Sequence, residues 1–197
     1  MADTPQATFP REQAWAIVTE YIEGDGLRKH MLAVEAAMRA YAPRYGGDPD
    51  AWGVVGLLHD FDWEIHPELP THPIQGSQIL RERGVPEWIV QAILSHADFT
   101  HVPRDTPLRK TLYAVDELTG LIMATALVRP TRSIHDVDVR SVRKRWKDKA
   151  FARAVSREDI ARGAEDLDLP LEHLIEQVIA ALRADAARLG VAGTPAA

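Results

Sequence analysis

Apolar residues in this chain recur at intervals near 3.6, and no convincing period-two alternation appears, so its core has to be built from helices. Pro10 stands ahead of a first helix over residues 11–23, which Gly24 and Gly26 close. A second runs from about Leu27 to Tyr41, with Met31, Val34, Ala37 and Met38 on one stripe. It ends before Pro43 and the Gly46-Gly47 turn. A third starts near Pro49 and passes through Trp52, Val55 and Leu58 to His59. The stretch that follows, FDWEIHPELPTHP, is too punctuated for a long helix. Thr71 reads as the N-cap of a fourth helix, with Pro73 in its first turn, where proline is tolerated. That helix ends around Gly84, and Pro86 opens a fifth that reaches His96. Thr106 and Pro107 start a long sixth helix containing Asp116. Three more follow at about 138–147, 157–166 and 170–188. Ser156 and Asp159 form an acidic variant of the capping box at the start of the second of these. The expectation is an all-α fold, a single-domain helical bundle with no internal repeat.

Composition narrows the chemistry. A chain of 197 residues with 46% hydrophobic residues can bury a core of its own without covalent or metal staples. It has no cysteine, so any metal site is restricted to imidazole, carboxylate, carbonyl and water ligands. The first fifteen residues lack a basic region followed by an apolar core, and no stretch approaches the roughly 20 apolar residues needed to cross a bilayer. A cytoplasmic protein with no membrane contact is expected. A net charge of -6 argues against a general nucleic-acid binder. The one strongly basic run, RSVRKRWKDK at 140–149, reads first as a basic helical face balancing an acidic protein. The helices after Val128 are open either to covering a cleft or to a homodimer contact.

Four of the eight histidines and two aspartates stand apart. His30 lies in RKHMLAVE, His59 and Asp60 in GLLHDFDWE, His72 in THPIQGSQIL, His96 in AILSHAD and Asp116 in LYAVDELTGLI. Each adjoins or interrupts an apolar helical stretch. Burying such groups without partners costs several kcal/mol, so they should meet one another or a metal. Imidazole and carboxylate ligands without thiolate suit iron, manganese, zinc or nickel. His66, His101, His135 and His173 fall outside the pattern and read as surface residues.

The order His30, His59-Asp60, Asp116 resembles the H…HD…D signature of the HD superfamily of metal-dependent phosphohydrolases. His72 and His96 resemble the two further histidines of its binuclear branch, H…HD…H…H…D. An HD pair alone arises often by chance, whereas four elements in order, each at a suitable helix position, are specific. The resemblance covers roughly residues 27–128 and implies two divalent metals per chain. Asp60 would bridge them, with His30, His59 and Asp116 on one and His72 and His96 on the other. It implies hydrolysis of a phosphate ester or anhydride by a metal-activated water, on a small phosphorylated metabolite or nucleotide. Asp62 and Glu64, close behind the HD pair, are candidate general bases beside Asp60. Arg109 and Lys110, a turn or two before Asp116, are candidate phosphate contacts. Phe61 and Trp63 are equally suited to closing a pocket or to filling a core.

This chain also departs from its relatives. Where the guanosine-tetraphosphate hydrolase branch carries an HDxxED-like acidic pair, this chain has HDFDWE, so Trp63 replaces the first acid. The glycine-tyrosine-proline mark of the cyclic-di-GMP phosphodiesterases is absent. The nearest likeness is to small bacterial binuclear proteins, among them dinucleoside-polyphosphate hydrolases. The same six ligands occur in the diiron oxygenases of the superfamily. A metal-holding binding or regulatory module is a third reading. Ligand identity alone does not choose among the three.

Overall fold

The structure is a computed structural model that describes residues 8–193. Among them are nine α-helices, three short 3-10 turns and no strand, only an isolated bridge pairing Ser133 with Ala192. The protein is therefore all-α. Its chain divides into two compact units, one up to Leu112 and one from Tyr113 onward. The boundary falls inside a single long helix, which is why no linker composition marks it.

The first unit holds α1 (Arg11–Tyr21), α2 (Asp25–Tyr41), α3 (Pro49–Leu58), α4 (Thr71–Glu82), α5 (Glu87–Leu94) and the first turns of α6 (Pro107–Leu127). Helix α3 is the hub. Every residue from Ala51 to Leu58 is buried, as a helix that is apolar all round requires. Asp48 caps it by accepting from the Asp50 N–H, and Pro49 occupies its first position. Helices α1, α2 and α5 pack on it. The expected α2 stripe, Met31, Val34, Ala37 and Met38, is fully buried. Gly56 lets α2 come close, because a Cβ there would stand 2.9 Å from the Val34 carbonyl oxygen and 3.0 Å from the Glu35 nitrogen. Across the same unit, Arg11 grips the buried Glu35 carboxylate with two bonds of 2.5 and 2.9 Å, fixing α1 to α2.

Two local features differ from the expected starts of helices. Thr71 makes no capping bond, and His72 interrupts α4 with φ -77° and ψ 138°, the extended conformation a following proline imposes. The regular helix thus begins at Pro73, leaving His72 on the incoming strand of chain. By contrast, the Thr106 hydroxyl accepts from the Arg109 N–H at 3.4 Å, at the start of α6.

The second unit holds the rest of α6 with α7 (Val139–Lys147), α8 (Arg157–Asp166) and α9 (Leu171–Ala184). A reciprocal capping box opens α7, between Asp138 and Ser141. At α8 the Ser156 hydroxyl accepts from the Asp159 N–H, but the Asp159 carboxylate does not return the bond. It accepts no bond from the Ser156 backbone N–H but takes side-chain bonds, from the Tyr113 hydroxyl at 2.7 Å, from Arg162 at 2.6 Å and from the Ser156 hydroxyl. Leu174, Ile175, Val178, Ile179 and Leu182 form the buried side of α9.

Candidate metal centre

The buried end of α3 delivers His59, fully enclosed, and Asp60, half-buried, into the middle of the first unit. Two groups of candidate metal ligands share Asp60. His30, His59 and Asp60 each offer a ligand atom within 4.8 Å of the others, and so do Asp60, His72 and His96. The His30 and His59 rings meet edge-on with centroids 5.2 Å apart, and those of His72 and His96 are also 5.2 Å apart. Asp116 lies on α6 beyond the unit boundary, half-buried next to the buried Val115.

Hydrogen bonds behind the rings decide which nitrogen points inward. The Nδ1 of His59 faces the Gly56 carbonyl oxygen at 2.8 Å, and that of His96 faces the Ile93 carbonyl oxygen at 2.5 Å. The Nδ1 of His72 faces Oδ1 of Asp62 at 2.7 Å. All three partners only accept, so each Nδ1 carries the hydrogen, and in the neutral ring each Nε2 presents its lone pair. The three Nε2 atoms converge on Asp60, at 3.5 Å for His59, 3.0 Å for His72 and 3.4 Å for His96. The His72 and His96 Nε2 atoms stand 3.2 Å from each other.

Acceptors gathered this closely repel unless positive charge, a proton or a metal cation, sits between them. The site's own acid–base chemistry reports that demand. Burial alone would lower the His72 imidazole, yet its bonds to Asp60 and Asp62 and their charges prevail and raise it to about 9. Burial would raise the Asp60 carboxyl, but His59, His72 and His96 hold it well below the usual carboxylate range. Three inward lone pairs, a shared carboxylate and outer acceptors fixing each ring are the donor set that a divalent metal takes.

Asp62 and Glu64 are placed differently from the general bases expected of them. Asp62 is 1% exposed, and both its oxygens are occupied, Oδ1 by His72 and Oδ2 by the Gly76 N–H at 3.0 Å. It orients the His72 ring. Glu64 turns away from the centre and accepts from the Glu23 and Gly24 N–H groups at 2.7 and 3.0 Å, clamping the start of α2. Phe61 belongs to the core, edge-on to the Tyr21 ring at 5.5 Å, whereas Trp63 is exposed and stands edge-on to the His72 ring at 5.0 Å. The Arg109 guanidinium is held by Asp105 and the Pro103 carbonyl, and Lys110 is the next residue on α6. His101 and His135 are exposed, and His66 and His173 partly so.

Sequence reasoning passed over the outer acceptors. Two of them have a legible origin: the last four carbonyls of a helix lack intrahelical partners, and a histidine just past the helix end can fold back on one three residues earlier. His59 and His96 both do so. Gly76 had no sequence mark. Its missing side chain matters because a Cβ there would lie 2.4 Å from Cγ of Asp62.

Residues 27–121 match the family model of the HD domain, a stretch that contains both ligand groups and runs past Asp116. The chain thus carries an HD domain over residues 27–121, and domains of this family are generally those of metal-dependent hydrolases. Comparisons with curated proteins and with solved structures found no significant match.

Proposed function

We propose that this protein is a metal-dependent hydrolase of phosphoric esters or anhydrides that holds two adjoining divalent metals and acts on a small phosphorylated metabolite or nucleotide. The first metal would be held by His30, His59 and Asp60, the second by Asp60, His72 and His96. The observation that carries the reading is the convergence of three Nε2 lone pairs on one carboxylate, each ring locked from behind. When bound, such metals neutralise phosphoryl charge and acidify water from a pKa of about 15.7 toward roughly 7.

The chain's own groups prepare that chemistry. Gly56, Ile93 and Asp62 hold the rings in the tautomer that leaves Nε2 free of hydrogen. Asp60 offers two oxygens, one near His59 and one near His72 and His96, and so can serve both groups. With Arg109 engaged by its own loop, Lys110 is the cation we assign to the substrate phosphate.

The test is release of inorganic phosphate from a panel of phosphate esters and anhydrides, by protein stripped of metal and reloaded with manganese, iron, zinc or nickel. Metal-dependent release that His72→Ala and His96→Ala abolish is the expected result. Absence of release with every metal and every ester would refute the hydrolase reading.

A further inference from the structure

Six large apolar side chains are exposed among the described residues, and four of them, Trp63, Ile65, Leu69 and Ile74, lie within one stretch of twelve positions. That stretch joins the HD pair to α4 and carries His72. Trp63 is 38% exposed, and its ring contacts the His72 ring edge-on, with the planes at 82°. A partly exposed indole therefore stands directly against one of the rings of the paired groups.

The backbone that carries the indole is also held. Its neighbour Asp62 is bonded to His72 and Gly76, and its other neighbour Glu64 to the backbone of residues 23 and 24. One residue further back, Phe61 is buried against Tyr21. The Trp63 N–H itself closes a turn onto the Asp60 carbonyl at 3.0 Å. An aromatic residue pinned on both sides yet left open to water is a preorganised platform, and such rings take flat aromatic groups by stacking. Between Phe61 and Ile74 there are three acids and no lysine or arginine, so this stretch has no lysine or arginine to offer a phosphate. It suits the uncharged end of a ligand whose anionic end lies at the metals.

We infer that Trp63 is a specificity-determining residue that stacks a flat ring of the substrate, which makes the substrate class nucleotide-like rather than an aliphatic phosphate. This rests on the reading of the centre as a phosphate-ester site.

The experiment compares two non-hydrolysable phosphonate ligands, one the analogue of adenosine 5′-monophosphate and the other of ribose 5-phosphate. They share the anionic end and differ by the base. Each is titrated calorimetrically into metal-loaded protein, with tryptophan fluorescence followed in parallel. Expected are binding roughly tenfold tighter for the base-bearing ligand, from stacking, and quenching that Trp63→Phe removes. Trp63→Ala should erase the affinity ratio and Trp63→Phe keep most of it. Leu127→Ser, at an exposed leucine on α6, should leave it intact. Equal affinity of wild-type protein for the two ligands would overturn the inference. So would a Trp63→Ala variant weakened by one factor for both, which would mean that the indole merely supports His72. Protein that releases no phosphate from any ester but shows the Trp63-dependent ratio keeps this inference and loses the hydrolase reading. A hydrolase indifferent to the base does the reverse.

Discussion

Asp62→Asn separates a positioning carboxylate from a catalytic one. The substitution keeps shape and volume but leaves one acceptor where two are in use, for the His72 ring at 2.7 Å and the Gly76 N–H at 3.0 Å. With its oxygen toward His72, the amide group of asparagine meets the Gly76 N–H donor to donor, in a place 1% exposed. With its oxygen toward Gly76, the amide donates to His72 Nδ1 and confines the ring hydrogen to Nε2, the atom whose lone pair a metal would need. Relief by movement is blocked on the Gly76 side, where even a Cβ has no room. A charge-assisted bond in such surroundings is worth about 1.5–3 kcal/mol. At about 2–4 °C per kcal/mol for a chain of this size, the metal-free variant should melt roughly 3–12 °C lower. Loss of an outer partner of a metal-binding histidine costs about 10–100-fold in metal affinity. Chelator competition should show that loss at the Asp60, His72 and His96 group, alongside the lowered melting temperature. An Asp62→Asn variant with unchanged melting and unchanged metal affinity would refute the reasoning.

Other perturbations test the remaining placements. Glu64→Gln removes one of two accepted N–H bonds at the start of α2. It should cost about 1 kcal/mol in stability while metal content stays at the wild-type level; loss of metal would contradict its role as a clamp. In the second unit, burial would raise the Asp159 carboxyl, but bonds from Tyr113, Ser156 and Arg162 prevail and lower it from 3.8. A depressed carboxylate stabilises the fold above its unfolded pKa, and that contribution is lost as pH falls through the folded value. The difference in melting temperature between wild type and Asp159→Asn should therefore be constant above about pH 5 and shrink as pH falls below about 4. A difference that grows on acidification would contradict the assignment.

The helices were legible because their apolar spacing and their breakers agree. Prolines 10, 49, 86 and 107 each stand at or just before a helix start, and the expected boundaries differ from the observed ones by a few residues. Legibility failed where tertiary structure decides. Nothing in HDFDWE says which way each acid turns, and the turn closed by the Trp63 and Ile65 N–H groups sends Asp62 inward and Glu64 outward. The Thr71 cap was expected from the local sequence, but proline at 73 forces His72 out of the helix, and Asp62 accepts the Gly76 N–H of the first turn instead. The division at Leu112 was invisible because it falls inside a continuous helix. The residues of the candidate site could be named from their order along the chain. That their Nε2 atoms share one carboxylate required the backbone carbonyls at 56 and 93, which no side-chain pattern records.

The central claim is that Asp60 is the carboxylate common to two adjoining metal groups. Elemental analysis of protein purified without chelator, beside an Asp60→Ala variant of confirmed helicity, tests it most directly. The account predicts about two metals per wild-type chain and a loss from both groups in the variant, since each contains Asp60. Wild-type protein without metal, or an Asp60→Ala variant that keeps the wild-type content, would contradict it.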